Sequence, residues 1–217
     1  MDNTPPTVLL SDGLQRMALN VPEATQQALW AYATTLLKWN EKVNLTAITR
    51  PNEVVEKHLV DSLAVLPEIT GKTMLDLGAG AGLPGIPLAL VLPELEVTLV
   101  DTVGKKVAFM KNAVAAVGLA GRVKPIHARA EGSPGAEGLP RAELLISRAF
   151  MDVGPWLQLA RHYLLPGGRV VSMLGQAPSE AELAKHAEAA GLRLVSRRLY
   201  QLPFSGDPRG IAVFAER

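Results

Sequence analysis

The sequence predicts an α/β fold, with a mostly parallel sheet, an antiparallel strand at its C-terminal end, and a helical extension before it. Three observations support this prediction. Helical apolar patterns fill the first 70 residues, short β-type runs alternate with longer helical patterns from Thr73 onward, and two strand-like runs at the end are separated only by "FSGDP". A chain of 217 residues suits one α/β core with an appendage. We therefore expect an N-terminal helical extension at 1–70 and a sheet domain at 71–217.

Two amphipathic helices are predicted in the extension. The first opens at Pro22, where a proline fits the first turn, and ends near Asn40. The second begins after Pro51 and stops at Pro67. Their apolar stripes are Leu29, Ala33, Leu36 and Leu37 in the first helix, and Val54, Val55, Leu59, Leu63 and Leu66 in the second.

Five predicted strands make up the parallel part of the sheet. They span 73–78, 95–101, 122–127, 142–147 and 168–174, and the accompanying helical patterns include 104–117 and 179–190. "LRLVSRRLYQLP" and "RGIAVFAER" then follow with no room for a crossover helix. These two runs therefore predict a terminal antiparallel hairpin.

Composition excludes several classes of protein. With 48% hydrophobic and 20% charged residues, the chain is ordinary for a globular protein, and no apolar run reaches the roughly 18 to 20 residues of a membrane span. The opening "MDNTPPTVLLSDG" lacks the basic flank of a signal peptide, so we expect a cytoplasmic protein. The absence of cysteine excludes disulfides, thiolate metal sites and cysteine nucleophiles. A net charge of +1 neither supports nor excludes a nucleic-acid partner.

The stretch "LDLGAGAGLPGIPLAL" at 75–90 predicts a ligand site between a strand and a helix. Glycines allow a ligand to approach the backbone, and a helix N-terminus offers unpaired N–H groups. Gly80, Gly82 and Gly85 match the G-x-G-x-x-G fingerprint literally, with Asp101 at about the distance expected of a ribose-binding acid. An NAD-dependent oxidoreductase is therefore one hypothesis.

Other residues of the same stretch favour a less anionic ligand than a diphosphate. The prolines at 84 and 87 remove N–H donors that a pyrophosphate would use, and Asp76 adds a carboxylate that would repel it. S-adenosylmethionine fits better, because it carries a zwitterionic amino-acid end and a cationic sulfonium. We expect Asp101 to bind its ribose, and Asp76, Gly78 and Gly80 to contact it. A protein that only senses S-adenosylmethionine is a third hypothesis.

Seven segments of the chain resemble, in order and spacing, the bacterial small-subunit ribosomal RNA methyltransferase G family, also called glucose-inhibited division protein B. They are "LLKWNEKVNLTAIT", "KHLVDSL", "LDLGAGAGLPGIPLA", "VDTVGKKVAFM", "HARAE", "ISRAF" and "LLPGGRVV". The resemblance runs from about residue 20 to the C-terminus. It implies a Rossmann-like methyltransferase fold and methylation of the N7 atom of one guanine in small-subunit ribosomal RNA. It further implies cofactor contacts at Gly78, Leu83, Ala130, Glu131 and Arg148.

Two positions depart from the family pattern. Many members have a lysine where this chain has Leu174, and many have Arg-His where this chain has Arg209 and Gly210. The functions of these two side chains in the family are therefore not predicted for this chain.

The chemistry expected of this site needs no general base. Guanine N7 has an exposed lone pair and no proton, so catalysis reduces to positioning and desolvation. Arg148, at the end of the fourth strand, is predicted to order the cofactor or the target nucleotide. His58 is predicted to help close the active-site mouth. Phe150 has two interpretations, a core residue or a stacking face for the target base, and we favour the core residue. The four histidines do not predict a metal site.

Basic residues provide candidate contacts to RNA, although each alone is an ordinary solvated charge. A converging set would bind phosphate in a salt-dependent manner. The expected partner is small-subunit ribosomal RNA or the 30S particle, bound by a monomer. The candidates are Lys57, Lys105, Lys106, Arg197 and Arg209.

Overall fold

The computed structural model describes residues 4–217, which form one seven-stranded sheet with helices on both faces. The strands are β1 (Thr73–Leu77), β2 (Glu96–Asp101), β3 (Val123–His127), β4 (Ala142–Arg148), β5 (Leu164–Leu174), β6 (Leu192–Gln201) and β7 (Pro208–Glu216). Their order is β3-β2-β1-β4-β5-β7-β6. β7 pairs antiparallel with both β5 and β6, and the remaining pairs are parallel. This arrangement confirms the predicted parallel sheet and terminal hairpin.

The helices occupy the intervals that the sequence pattern indicates, with additions. They are α1 (Pro6–Arg16), α2 (Glu23–Val43), α3 (Pro51–Val54), α4 (Asp61–Leu63), α5 (Gly85–Val91), α6 (Gly104–Ala116), α7 (Pro134–Glu137), α8 (Val153–Ala160) and α9 (Glu180–Ala189). A π-helical segment, Val55–Val60, joins α3 to α4, and 3₁₀ turns cover Leu66–Glu68 and Arg161–Tyr163. We call residues 51–63 together the π-containing helix.

Local structure differs from the predictions at two boundaries. α2 ends at Val43 instead of near Asn40, and Asn44 then adopts φ +48°. The Asn40 side chain accepts hydrogen bonds from the backbone N atoms of Leu45 (2.7 Å) and Thr46 (2.9 Å), so it fixes the turn that follows the helix. β5 begins at Leu164 instead of residue 168 and pairs there with Ala142, ahead of an irregularity in β4.

Helices cover the sheet on both faces. One hydrophobic cluster joins the sheet to α1, α2, the π-containing helix, α5 and α6, and a second joins the opposite face to α8 and α9. Leu29 and Leu36 of α2 belong to the same cluster as Ile146 and Val213 of the sheet. The N-terminal helices therefore share a core with the sheet, and a division of the chain at residues 70 and 71 stays a prediction.

The terminal hairpin is attached to the π-containing helix. Glu56 is buried, and its Oε1 accepts hydrogen bonds from the backbone N atoms of Phe204 (2.8 Å) and Ser205 (2.7 Å) in the turn between β6 and β7. Arg198 of β6 donates from Nε to Glu68 Oε1 at 3.2 Å. These contacts place the N-terminal helices and the hairpin on the two sides of one cleft.

Candidate active site

Two clefts open at the carboxyl edge of the parallel strands and share Ala149, the residue that follows β4. The first, the Gly78 cleft, is lined by Gly78, Asp101, Val103, Lys106, Ala130 and Phe150 among others. The second, the Arg148 cleft, is lined by Lys57, His58, Asp61, Arg148, Tyr200 and Arg209 among others. Ala149 adopts φ +51°, a conformation that alanine seldom takes. In an open α/β sheet this edge is where ligands bind.

The glycine-rich turn forms one wall of the Gly78 cleft. Gly78 has φ +72°, and a Cβ atom there would lie 2.1 Å from the Phe150 ring, so only glycine fits. Gly80 has φ +60°, and a Cβ there would meet only the Gly78 carbonyl oxygen, at 3.9 Å. The backbone at Gly80 therefore faces open space. α5 then begins at Gly85 with Pro84 as its N-cap residue.

A tyrosine that the sequence analysis missed supports this turn from behind. Tyr32 on α2 is fully buried, and its hydroxyl donates to the Ala81 carbonyl oxygen at 2.7 Å. Burial raises the pKa of Tyr32, so the hydroxyl remains a donor at neutral pH. In the sequence, Tyr32 is only one more apolar position of a helical stripe, which is why pattern analysis does not single it out.

Asp101 connects the turn to the end of β2. Its Oδ2 accepts from Gly80 N at 2.9 Å and its Oδ1 accepts from Val103 N at 2.8 Å, while Lys106 Nζ lies 3.9 Å from Oδ2. The carboxylate lines the cleft, so it can also accept from a ligand hydroxyl. Asp101 therefore lies on the cleft wall, and its contact with a ribose stays a prediction.

Asp76 and Leu83 lie beneath the turn instead of on the cleft wall. Asp76 is fully buried, accepts from Gly85 N at 3.0 Å through Oδ2, and its Oδ1 has no partner among the described residues. Burial raises the pKa of Asp76 to about 8, against the Gly85 hydrogen bond and the Arg148 charge. Asp76 therefore does not present a charged carboxylate to a ligand. The expectation that it would repel a diphosphate is wrong for this reason. Leu83 is buried in the core beside α5.

The lining of the Gly78 cleft fits S-adenosylmethionine. Asp101 offers carboxylate oxygens to ribose hydroxyls, Val103 and Ala130 offer apolar surface to a base, and Gly80 leaves its backbone open to the ligand. Glu131, the other predicted contact in this loop, is exposed next to Ala130.

Arg148 is the centre of the second cleft. Its Nη1 donates to the Lys57 carbonyl oxygen (2.8 Å) and to Asp61 Oδ2 (3.0 Å), and its Nη2 lies 3.1 Å from His58 Nδ1. Among the described residues, no acceptor contacts Arg148 Nε. All three partners come from the π-containing helix, whose irregular turn brings them to one side. Arg148 is therefore rigidly held, with its Nε–H and one Nη2–H still available as donors.

His58 is neutral in this arrangement. Burial first, and then the Arg148 charge, lower the pKa of His58 to about 4. Nδ1 lies 3.1 Å from both Arg148 Nη2, which can only donate, and the Lys57 carbonyl oxygen, which can only accept, and Nε2 lies 2.9 Å from the Thr46 hydroxyl oxygen. The structure therefore brings His58 and Arg148 into direct contact, and His58 helps to hold the Arg148 guanidinium.

Asp61 collects the remaining polar groups of the Arg148 cleft. Tyr200 donates its hydroxyl proton to Asp61 Oδ1 at 2.7 Å, and Arg209 Nε lies 3.5 Å from Oδ2. Burial and the Asp61 charge raise the pKa of Tyr200, so it remains a donor. The sequence pattern assigned no role to Asp61 or to Tyr200.

The predicted RNA-binding residues separate into groups. Lys57 and Arg209 line the Arg148 cleft and both approach Asp207, at 3.4 and 3.8 Å. Lys106 lines the Gly78 cleft, and Lys105 is exposed beside it on α6. Arg197 is not brought to either cleft, because its guanidinium donates to the carbonyl oxygens of Pro178 (2.9 Å) and Ala177 (3.4 Å) before α9.

The two departures from the family pattern face each other in the sheet. Leu174 of β5 pairs with Gly210 of β7, and Leu174 lines the Arg148 cleft. A Cβ atom at Gly210 would lie 2.4 Å from Ala177 Cβ, so a larger side chain there requires this loop to move. The missing polar side chains therefore belong to one corner of the Arg148 cleft.

The placement of Phe150 differs from the expectation of a core residue. Phe150, which lines the Gly78 cleft, is 37% exposed, and the next residue, Met151, is 38% exposed. The Phe150 ring packs edge-on against Trp156, with the ring centroids 6.3 Å apart. One aromatic surface is therefore accessible beside the junction of the two clefts.

Residues 4–217 lack two features. No group of three or more histidine, aspartate or glutamate side chains in this range could hold a metal ion. Within the same residues, no helix combines the length and apolar character needed to cross a membrane.

Comparisons with known proteins agree with this geometry. The sequence model of the family described as rRNA small subunit methyltransferase G, or GidB, matches residues 25–204. The chain is 59% identical over 217 residues to the ribosomal RNA small subunit methyltransferase G of Myxococcus xanthus, covering 100% of both proteins. It is 48% identical over 204 residues to the protein of the same name from Anaeromyxobacter dehalogenans, covering 94% of each.

Solved structures of more distant proteins share the fold. A SAM-dependent methyltransferase from Aquifex aeolicus matches with a TM-score of 0.55 and 20% identity, covering 75% of this chain and 92% of that one. A SAM-dependent methyltransferase from Thiobacillus denitrificans, solved with S-adenosyl-L-homocysteine, matches with a TM-score of 0.52 and 17% identity, covering 72% and 91%. The family match spans most of the sequence and the relatives match over nearly their whole length, so this chain belongs to the ribosomal RNA small subunit methyltransferase G family.

Proposed function

We propose that this protein transfers the methyl group of S-adenosylmethionine to N7 of a guanine in small-subunit ribosomal RNA. The observation that carries the proposal is the junction of the two clefts at Ala149. A cofactor in the Gly78 cleft and a base in the Arg148 cleft would meet there. Holding two reactants next to each other is the main source of rate acceleration for a reaction that requires no proton removal.

The Gly78 cleft would hold the cofactor, which supplies an activated methyl group on its sulfonium. Asp101 would accept from the ribose hydroxyls, the backbone at Gly78 and Gly80 would contact the ligand, and the 130–131 pair would border the base. Asp76 and Leu83 act indirectly, by supporting the turn from below.

The Arg148 cleft would orient the guanine. The O6 acceptor is adjacent to N7 on the same edge of guanine, and arginine is its usual partner. Arg148 Nε, which has no acceptor among the described residues, can donate to O6 while N7 stays open to the methyl group. His58 and Asp61 hold the guanidinium in place. The neutral His58 need not accept a proton, because N7 carries none.

The substrate would be held by phosphate contacts around this cleft. Lys57 and Arg209 are positioned at the Arg148 cleft, and Lys105 and Lys106 lie near the Gly78 cleft. We propose that the partner is small-subunit ribosomal RNA or the 30S particle, that the protein acts as a monomer, and that it acts in the cytoplasm, where its substrate is made. Family membership and the antiparallel β7 both argue against an NAD-dependent oxidoreductase.

The direct test measures methyl transfer by Arg148 variants. Radiolabelled S-adenosylmethionine is incubated with small ribosomal subunits from a strain lacking this protein. We expect Arg148→Ala to lower the transfer rate by at least about 100-fold, the typical effect of losing one preorganised donor. Binding of S-adenosylhomocysteine and cooperative melting should persist.

Arg193→Ala is the matched control, because Arg193 is exposed on the edge strand β6, away from both clefts. Its transfer rate should equal that of the unmodified protein. Near-normal transfer by Arg148→Ala would contradict the proposal. Binding of S-adenosylhomocysteine without any transfer by the unmodified protein would support a cofactor sensor instead.

A further inference from the structure

The wall of the Gly78 cleft opposite the glycine turn is a loop held by few contacts of its own. This loop runs from the end of β3 to α7 and supplies Ala128 and Ala130 to the cleft. At its start, Ala128 N donates to the Asp101 carbonyl oxygen at 3.3 Å, a long hydrogen bond. The position of the rest of the loop must therefore be set by other residues.

Glu137 and Tyr163 provide four hydrogen bonds to this loop and to each other. The Glu137 carboxylate accepts from the backbone N atoms of Glu131 (3.0 Å) and Ser133 (2.8 Å) through Oε1, and from the Tyr163 hydroxyl through Oε2. The Tyr163 hydroxyl oxygen in turn accepts from Gly132 N at 2.8 Å. Three consecutive backbone N–H groups, at 131, 132 and 133, are thus fixed by two side chains.

The ionisation of both groups suits this arrangement. Partial burial opposes ionisation of Glu137, but hydrogen bonds from Tyr163 and from the backbone at 133 and 131 outweigh it and lower the pKa of Glu137. Burial and the Glu137 acceptor raise the pKa of Tyr163 to about 12. The tyrosine therefore donates and the glutamate accepts throughout the neutral range.

Tyr163 anchors the loop to the rigid part of the molecule. Its side chain is fully buried in the cluster formed by α8, α9 and the second face of the sheet, together with Leu139 and Leu157. Because the ring cannot move independently, its hydroxyl is a fixed point for Gly132 and for the Glu137 carboxylate.

We infer that Glu137 and Tyr163 are positioning residues that hold the 128–133 loop against the cofactor and thereby set the affinity for S-adenosylmethionine. This inference rests on the proposed function, because it assigns that ligand to the Gly78 cleft. Neither residue lines the cleft, so both act through the loop. If the loop is ordered only part of the time, the apparent affinity falls by the fraction of time in which it is ordered.

The test uses Tyr163→Phe and Glu137→Ala, with Glu137→Gln as the conservative variant. Phenylalanine keeps the buried ring and removes the hydroxyl that makes two of the four hydrogen bonds. Glutamine keeps an acceptor for the backbone N–H groups and a polar partner for the tyrosine. We measure the dissociation constant for S-adenosylhomocysteine by calorimetry, and kcat and the KM values for S-adenosylmethionine and for small ribosomal subunits.

The matched control is Glu143→Ala. Glu143 Oε2 also accepts three hydrogen bonds, from Lys72 N (2.6 Å), Thr73 N (2.9 Å) and Thr73 Oγ1 (3.1 Å), but at the amino ends of β1 and β4, away from both clefts. It reports the effect of losing a glutamate with three hydrogen bonds without disturbing the cofactor wall.

We expect the substitutions to change the affinity for the cofactor and no other kinetic property. Tyr163→Phe and Glu137→Ala should weaken binding of S-adenosylhomocysteine and raise the KM for S-adenosylmethionine by about tenfold, equivalent to about 1.4 kcal/mol. The subunit KM and kcat should stay within about twofold, and Glu137→Gln should restore most of the affinity. An equal effect of Glu143→Ala on cofactor binding, or a change in the subunit KM alone, would overturn the inference.

Calorimetry separates this inference from the proposed function. Unmodified protein that binds S-adenosylhomocysteine but methylates no subunit would contradict the proposed transfer, and the Tyr163→Phe comparison would still decide the positioning role. Unmodified protein that binds no S-adenosylhomocysteine would overturn both.

Discussion

The hydroxyl of Tyr32 supports the glycine turn through a single hydrogen bond, so Tyr32→Phe is a defined perturbation of the cofactor site from the far side of the core. The substitution removes one oxygen and leaves the ring in its fully buried position. The Ala81 carbonyl oxygen then loses its only hydrogen-bond donor among the described residues. Because Tyr32 reaches the turn from α2, its effect on the cofactor cannot arise from direct contact in the cleft.

The expected magnitude follows from the burial of this bond. An unsatisfied buried acceptor costs about 1 to 3 kcal/mol. A loss of about 2 kcal/mol in a chain of this size lowers the melting temperature by about 4 to 8 °C. If the same energy is lost entirely from the closed form of the turn, affinity for the cofactor falls by at most about 30-fold.

The assay combines thermal unfolding with calorimetric titration of S-adenosylhomocysteine. Thr35→Ala is the control, because the Thr35 hydroxyl on the same helix donates only to Ala31 of its own helix, at 2.9 Å. We expect Tyr32→Phe to lower both stability and cofactor affinity, and Thr35→Ala to leave cofactor affinity unchanged. A Tyr32→Phe protein with reduced stability and unchanged affinity would refute the claim that this bond shapes the cofactor site.

Two further predictions concern protonation and salt. The pKa of His58 is lowered to about 4 in the folded protein, below its unfolded value, so its contribution to stability is present above about pH 6.5 and is lost as the pH falls towards 4. The loss is at most about 3 kcal/mol. In urea unfolding at several pH values, the free energy of unfolding of His58→Gln should fall less steeply with acid than that of the unmodified protein. The same fall in both proteins would contradict a lowered pKa for His58. Lys57→Ala and Arg209→Ala should each weaken RNA binding and reduce the slope of log affinity against log salt by about 1, whereas Arg197→Ala should not, because its guanidinium holds the loop before α9. Equal slopes for all three variants would contradict this division.

The sequence was sufficient to predict the succession of strands along the chain and the residues that lie at the carboxyl edge of the sheet. Gly78, Asp101 and Arg148 each follow or end a strand, and parallel strands bring such residues to one edge regardless of the details of packing. The terminal hairpin was predictable for a different reason, because the length of a turn is a local signal.

Contacts between distant side chains were not predictable in this way. Tyr32 meets Ala81 across 49 residues, and Tyr163 meets Glu137 across 26, and neither spacing follows a periodic pattern. The π-helical turn at Val55–Val60 changes which side chains share a face, so helical periodicity alone could not place His58 and Asp61 around Arg148. Arg197 shows the converse, since a basic residue that looks solvated in the sequence is bound to backbone carbonyls.

The central claim is tested most directly by locating the methyl group that the protein adds. Small subunits from a strain lacking this protein are incubated with the protein and labelled S-adenosylmethionine, and the RNA is then cleaved by chemistry specific for N7-methylguanine. The account predicts strand cleavage at one guanine of the small-subunit RNA, with label at that nucleotide and one S-adenosylhomocysteine released per methyl group. Label on an exocyclic amine, on a pyrimidine or on no RNA at all would contradict it.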